Sequence, residues 1–254
     1  MYSLNHFEMQ SLQGILRSPY MIYAIDLVDE FIQKNKQPQV EATKNAFNEI
    51  YRILNESKNS VDEFLAERKR IGEIKDEKQA LKSIAGNSFS KIIEYIFLKN
   101  KIVGNIRPDI FITSQKSKVP NFEEISTIKI GNETQKPDCD LVIYSINGDG
   151  TLKKCIILSL KTSLRERAGQ TYKWKLLMEI ATSAKTLREK YEIHYETKIM
   201  PLICFATVNF YNEINNPQQR GMFKFFDKTF IAKNIDSDFI CKLSTLPNFV
   251  NEKL

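Results

Sequence analysis

The sequence predicts an α/β fold in which a central mixed β-sheet is flanked by helices and preceded by a helical N-terminal region. Apolar residues recur at helical spacing through the first third of the chain. Two β-rich runs separated by Gly-Asp-Gly follow in the middle of the chain, as in a hairpin. The later segment IMPLICFATVNF has the composition of a buried strand. Helices alternating with strands in this order are typical of a mixed sheet covered by helices.

Residues 1–86 are expected to form helices joined by short polar breaks. Residues 21–33 carry apolar side chains at helical spacing, and a break around Pro38 separates them from a second apolar stripe that includes Ile50. The run ERKRIGEIKDEK, at residues 67–78, carries charges of both signs and is interpreted as a solvated helical face.

The core is expected to occupy residues 87–254. Ser88 is expected to begin its first helix, because the apolar residues from Phe89 to Phe97 have the i, i+3, i+4, i+7, i+8 spacing of an amphipathic helix. The elements predicted after it are two hairpin strands, a helix and two further strands, at residues 141–145, 155–160, 171–189, 199–210 and 222–231.

Composition excludes several kinds of chemistry. The chain has only two histidines, His6 and His194, which argues against Ser/His/Asp hydrolysis and histidine-rich zinc sites. Its 37 Lys and Arg residues outnumber 31 Asp and Glu residues, a balance that suits a polyanionic partner. The four cysteines are widely spaced and indicate no disulfide framework. With no apolar run of ~18 residues and no signal-peptide pattern, we expect a cytoplasmic protein without a membrane span.

Charged residues lie where the predicted hairpin strands begin and end. Asp138 and Asp140 stand at the start of the first strand, and Ser159 and Lys161 close the second. Because residues i and i+2 of a strand share a face, pairing of the two strands would bring a carboxylate and an ammonium together at one edge of the sheet. Phosphodiester hydrolysis uses carboxylates that hold Mg²⁺ and a lysine that orients water and offsets charge.

This segment resembles the PD-(D/E)xK nuclease superfamily, since Pro137-Asp138 is followed after 20 residues by Ser159-Leu160-Lys161. Arg165-Glu166-Arg167, close behind the lysine, is similar to the element of type II restriction endonucleases that recognise CCGG, CCNGG and related sites. Those relatives also have serine in place of the usual acid. The resemblance covers about residues 137–179 and implies a restriction-endonuclease-like core.

The resemblance implies a role for each matching residue. Asp138 would be a metal ligand, Lys161 would orient the attacking water, and Ser159 would belong to the catalytic motif. Arg165, Glu166 and Arg167 would recognise bases, since arginine binds guanine bidentately and glutamate accepts from cytosine N4. Each good bidentate contact is worth roughly 1–3 kcal/mol of discrimination.

The second acidic ligand is open at this point. The relatives carry a glutamate thirteen or fourteen residues past the lysine, where this chain has Trp174 and Lys175. The sequence offers several alternatives, some on the predicted helix after the lysine and others on the preceding strand and helix. The candidates are Glu179, Asp140, Glu94 and the side-chain carbonyl of Gln170.

By resemblance, the expected function is Mg²⁺-dependent hydrolysis of double-stranded DNA at a CCGG-like palindromic site. A palindromic site calls for a homodimer, and a companion DNA methyltransferase is expected in the same system. Residues 1–86 would serve DNA contacts or dimerisation, and Lys99, Lys101 and Arg107 could meet phosphates. The alternatives are a structure-specific or repair nuclease of the same superfamily and a catalytically inactive DNA-binding protein.

Overall fold

The computed structural model describes residues 2–137, 139–164, 166–210 and 212–254, with the side chains of residues 166–170 left outside the description. The chain divides into two compact units. The first unit contains the chain up to Pro108 together with Ile231–Ser237 and Cys241–Glu252. The second contains Asp109–Phe230, Asp238–Ile240 and Lys253–Leu254.

Helices and strands alternate in the second half of the chain, after a helical first half. The α-helices are α1 (His6–Leu16), α2 (Ile22–Lys34), α3 (Gln39–Asn45), α4 (Ile50–Glu56), α5 (Lys58–Arg70), α6 (Glu77–Ile102), α7 (Phe122–Ser126), α8 (Glu166–Ser183), α9 (Lys185–Tyr191), α10 (Pro217–Phe223) and α11 (Leu246–Lys253). The strands are β1 (Ile110–Thr113), β2 (Ile128–Ile130), β3 (Glu133–Gln135), β4 (Leu141–Ile146), β5 (Leu152–Lys161), β6 (Ile193–His194), β7 (Leu202–Thr207), β8 (Lys228–Ile231) and β9 (Cys241–Lys242).

The long helix α6 is the centre of the first unit. Ile92, Ile96 and Phe97 on this helix are completely buried, which confirms the predicted apolar stripe. The helix begins at Glu77, where Asp76 caps it by accepting the Gln79 N–H at 3.0 Å. The expectation that Ser88 begins this helix is therefore wrong. Residue 86, the expected end of the N-terminal region, lies inside α6, because the cap and the packing of the helix outweigh the poor helix propensity of glycine there.

The charged run at residues 67–78 does not form one helical face. Helix α5 ends at Arg70, and Gly72 has a positive φ of 79°, a conformation that glycine adopts without steric penalty. The Gly72 N–H donates to the Lys69 carbonyl and closes the turn. The predicted solvent exposure is confirmed, since no residue of the run is buried. The single helical face is wrong, because the run contains the end of one helix and the start of the next.

Lys101 is buried and does not present its charge to a phosphate. Its Nζ donates to Glu8 Oε1 at 2.5 Å, and both side chains are almost completely inaccessible. A buried ammonium needs a carboxylate partner, and α1 supplies it. Lys99 pairs with Asp29 at 3.1 Å and keeps about a third of its side chain exposed, so its contact with DNA stays a prediction.

The second unit contains the strands of the main sheet in the order β1-β4-β5-β7-β8. β1, β4 and β5 pair in antiparallel fashion, and β5 pairs with β7 in parallel, so the sheet is mixed as predicted. The β4–β5 hairpin is confirmed, and Gly150 in its turn has a φ of 83°. Every residue of β5 from Cys155 to Lys161 is buried, as expected of a central strand covered on both faces.

Several boundaries in this unit differ from the prediction. The helix expected over residues 171–189 consists of two helices, α8 and α9, separated at Ala184. The strand expected over 222–231 is confined to β8, because α10 extends to Phe223. A small sheet in the order β3-β2-β6 was not predicted, and neither was α11, nearly all of which belongs to the first unit. Within the described residues, no helix combines the length and apolarity needed to cross a membrane.

Candidate active site

Three strand ends meet at one edge of the main sheet. Leu141, the first residue of β4, is paired with Leu158 of β5, and Lys161, the last residue of β5, is paired with Thr207, the last residue of β7. The loops that follow β5 and β7 therefore leave the sheet at the same edge. In α/β sheets, the carboxyl ends of parallel strands are where ligands commonly bind.

Asp140 and Lys161 come together at this edge. Lys161 Nζ donates to Asp140 Oδ2 at 3.1 Å, and the same oxygen accepts the Leu160 N–H at 2.7 Å. Lys161 is only 8% exposed, whereas the Asp140 side chain is 31% exposed. A strand-end lysine is thus held by a carboxylate that still faces solvent, which confirms that the hairpin brings an acid and an amine together.

The chemistry of this edge suits Mg²⁺. Mg²⁺ prefers oxygen ligands and is usually held by one or two carboxylates together with substrate phosphate oxygens. Asp140 Oδ1 has no hydrogen-bond partner within the described residues, so one oxygen of this carboxylate is available to a cation. Asp138, the other predicted ligand, stands two positions earlier in the chain and lies outside the described residues.

The predicted base-recognition residues stand at the start of α8. Arg165 lies outside the described residues, and so do the side chains of Glu166, Arg167 and Gln170. The backbone of Glu166 and Arg167 forms the first turn of α8, five and six residues after Lys161. Their role in base recognition stays a prediction.

Ser159 is completely buried beneath α8. Its Oγ lies 3.1 Å from Thr171 Oγ1, and Thr171 is itself buried in the second turn of that helix. This contact between two hydroxyl groups joins the strand that ends in Lys161 to the helix that begins with the Arg-Glu-Arg segment. A catalytic role of Ser159 stays a prediction, and its observed contact is with the helix.

Glu179 belongs to a different cluster. Its Oε1 lies 3.3 Å from Lys175 Nζ, which also donates to both carboxylate oxygens of Asp227 at 2.9 Å. Asp227 Oδ2 accepts the N–H of Ile203, which pairs with Ile157 of β5. Ile157 precedes Lys161 by four residues, a distance of ~13 Å along a strand. The structure therefore does not bring Glu179 next to Lys161.

Lys175 is one of the two positions, with Trp174, at which the resemblance would place an acid. The lysine is buried in an ion pair with Asp227, which lies in the segment just before β8. A buried ammonium needs such a carboxylate partner.

Glu94 lies in the first unit, on α6. It is 4% exposed and accepts a hydrogen bond from Ser11 Oγ at 2.5 Å. Burial raises the pKa of this carboxyl above its ordinary value, and the Ser11 hydroxyl opposes the shift. Where the structure describes the chain, no group of three or more His, Cys, Asp or Glu residues has the geometry of a metal site. Glu94 as a metal ligand stays a prediction, as does Glu179.

Glu213, a residue that the sequence analysis missed, also lies at this edge. Glu213 Oε2 accepts the Leu164 N–H at 2.6 Å and the Ser163 hydroxyl at 3.2 Å. It follows β7 in the chain, and its partners follow β5. No local pattern marks this glutamate, because its partners are 49 and 50 residues away in sequence.

An acid and a lysine at the edge of a mixed α/β sheet define a candidate nuclease site. Residues 112–249, more than half of the chain, match the family model described as BsaWI restriction endonuclease type 2. The chain belongs to this family, and it is a type II site-specific deoxyribonuclease that acts on DNA. No match is found among curated proteins.

The ion pair between Lys175 and Asp227 predicts a stability effect. Lys175→Ala leaves the half-buried Asp227 carboxylate without its cation and is expected to lower the free energy of unfolding by about 1–3 kcal/mol. The exposed Lys185, which pairs with Glu189 at 3.8 Å, is the matched control, and Lys185→Ala should change stability by less than about 0.5 kcal/mol. Urea unfolding measures both. Equal effects of the two variants would contradict a stabilising role for the pair.

Proposed function

We propose that this restriction endonuclease is a Mg²⁺-dependent enzyme of the PD-(D/E)xK type that cuts a CCGG-like palindromic site in double-stranded DNA. The contact between Asp140 and Lys161 is the observation that carries the proposal. It supports the pairing of acid and amine that the motif requires, at an edge where two loops leave the sheet. Family membership favours this function over a repair nuclease or an inactive DNA-binding protein.

Asp138 and Asp140 are the proposed cation ligands, because Asp138 is the acid of the sequence motif and Asp140 Oδ1 has no hydrogen-bond partner within the described residues. When bound there, Mg²⁺ would polarise the phosphoryl oxygens of the DNA. Of the acids considered as second ligand, Asp140 has the strongest support, since Glu179 is held in the Lys175 cluster.

Lys161 is proposed to act on the attacking water and the phosphate. Its ammonium donates hydrogen bonds that orient the water oxygen towards phosphorus, and its charge offsets the negative charge that develops as the P–O bond to the leaving sugar oxygen breaks. Because Asp140 already fixes Nζ on one side, little reorganisation of the side chain is needed when DNA binds.

Arg165, Glu166 and Arg167 are proposed to recognise the G·C pairs. Side chains in the first turn of a helix commonly reach base edges in the major groove, and α8 begins at Glu166. A palindrome is bound by two copies of the chain related by a two-fold axis, so the proposal includes a homodimer. A companion methyltransferase that protects the host DNA and a cytoplasmic location complete the proposed system.

Substitution of the catalytic pair tests the mechanism. Lys161→Ala and Asp138→Ala should each lower the rate of plasmid cleavage by roughly 10²-fold or more, since the first removes the ammonium that offsets developing negative charge and the second removes a proposed ligand of the cation. The control is Lys154→Ala, an exposed lysine on the same strand whose Nζ donates to the Lys253 carbonyl. Gel electrophoresis should show discrete bands for the wild type and for Lys154→Ala. Undiminished cleavage by Lys161→Ala would refute the assignment, and smears in place of bands would favour a nuclease without sequence specificity.

A second prediction concerns base recognition. Arg165→Ala should reduce the preference for the cognate site over a site with one changed G·C pair by a factor of about 5–150, the equivalent of 1–3 kcal/mol. Lys173→Ala, at an exposed position of α8, should affect both sites alike. Cleavage rates on two short duplexes give the ratio for each variant. An unchanged ratio for Arg165→Ala would show that this residue does not recognise the base.

A further inference from the structure

Hydrogen bonds hold each of the first three residues of the segment between Lys161 and α8. The Thr162 carbonyl accepts the Phe210 N–H at 3.2 Å. The Ser163 hydroxyl and the Leu164 N–H both donate to Glu213 Oε2. The Leu164 side chain is completely buried. This segment, residues 162–164, is all that separates the proposed catalytic lysine from the Arg-Glu-Arg sequence in the chain.

The carboxylate that holds this segment is itself held in place. The Glu213 N–H donates to Asn209 Oδ1 at 2.8 Å, and the Asn209 N–H donates to Thr207 Oγ1 at 2.9 Å. Asn209 is buried and has a φ of 49°, a left-handed conformation that asparagine tolerates better than most residues. The chain of contacts therefore leads from the end of β7 through Asn209 to Glu213 and then to Leu164.

The bond to Leu164 is the strongest part of this link. A carboxylate that accepts a backbone N–H forms a charge-assisted hydrogen bond, which is shorter and stronger than a neutral one. The 2.6 Å distance between Leu164 N and Glu213 Oε2 fits such a bond. Leu164 directly precedes Arg165, so the bond fixes the backbone one residue before the first proposed base-recognition side chain.

We propose that Glu213 is a positioning residue that couples base recognition to cleavage. By holding the Leu164 N–H, it fixes the direction in which the chain enters the Arg-Glu-Arg segment relative to Lys161. Correct contacts to the bases then place the scissile phosphate at the lysine, whereas a loosened segment would allow cutting at incorrect sites and would slow cutting at the correct one. This inference rests on the proposed function, because it takes Lys161 and Arg165–Arg167 in the roles given above.

The test compares variants of Glu213 on two duplexes, one with the cognate site, determined first by sequencing the ends of digested DNA, and one with a single changed base pair. For each variant, kcat and KM are measured on both duplexes, together with Tm. Glu213→Ala should lower kcat on the cognate duplex at least tenfold and change KM by less than threefold. The site preference, which is kcat/KM on the cognate duplex divided by kcat/KM on the changed duplex, should fall at least tenfold. Glu213→Gln should lose less than threefold in both kcat and the ratio, because its amide oxygen can still accept the Leu164 N–H.

Two further variants keep the result decisive. Glu189→Ala removes an exposed glutamate of the same unit and should behave as the wild type. If Glu213→Ala does not fold, Glu213→Asp takes its place in the test. Aspartate keeps the charge but is too short to reach the Leu164 N–H, so this variant should lower the ratio at least fivefold. An unchanged ratio in the folded variant overturns the inference, and so does equal behaviour of the alanine and glutamine variants.

The same assay separates this inference from the proposed function. Lys161→Ala is measured in parallel. Cleavage retained by Lys161→Ala would refute the catalytic assignment on which the inference rests, and would overturn both. Loss of cleavage in Lys161→Ala with unaltered site preference in Glu213→Ala would leave the proposed function in place and overturn the coupling role of Glu213 alone.

Discussion

The contact between Asp140 and Lys161 is the interaction on which the rest of the active site depends. A buried ammonium is costly unless a carboxylate neutralises it, and Lys161 is almost fully buried at the end of β5. Asp140, the residue directly before β4, meets this need and also accepts the Leu160 N–H. Because successive residues of a strand point to opposite faces, a slip of one residue between β4 and β5 would separate the two groups. The register of the hairpin therefore determines the chemistry at its edge.

Strand β5 and the segment that follows it also position the start of α8, next to the site. The strand contacts α8 through Ser159 and Thr171, and the segment that follows it is fixed by Glu213. One of these contacts holds the second turn of α8 to the sheet, and the other holds the residue two positions before that helix to the loop after β7. A nuclease that must cut only at its own site needs the recognition segment to be rigid relative to the catalytic groups, because misplacement by about 1 Å costs a large factor in rate.

The parts of the molecule that local patterns determine could be predicted from the sequence. The β4–β5 hairpin follows from two β-rich runs and a glycine turn, and its pairing predicts that a carboxylate and an ammonium meet at one edge of the sheet. Which of the two aspartates contacts Lys161 did not follow from the sequence, and the structure shows this contact for Asp140. Family membership agrees with the motif-based resemblance at the level of type II restriction endonucleases. The start of α6 was placed wrongly at Ser88, because the apolar stripe begins at Phe89, whereas the helix itself begins eleven residues earlier at Glu77.

Long-range contacts lay beyond sequence reasoning. Glu213 contacts Leu164 across 49 residues, and Lys175 pairs with Asp227 across 52, and neither contact follows a periodicity. Lys101 resembles a surface lysine near a helix end, yet α1 covers it and supplies Glu8. In each case the tertiary fold determines the partner of the charged side chain. The sequence alone does not show whether such a side chain faces solvent or pairs with a buried counterion.

The central claim is that Asp138 and Asp140 hold a divalent cation beside Lys161. A crystal structure of the protein with a cognate duplex and Ca²⁺, an oxygen-liganded ion, tests it most directly. The account predicts Ca²⁺ at ~2.3–2.6 Å from carboxylate oxygens of both aspartates, with Lys161 Nζ in hydrogen-bond contact with an oxygen at the scissile phosphate. A cation bound away from both aspartates, or a lysine directed away from the phosphate, would contradict it.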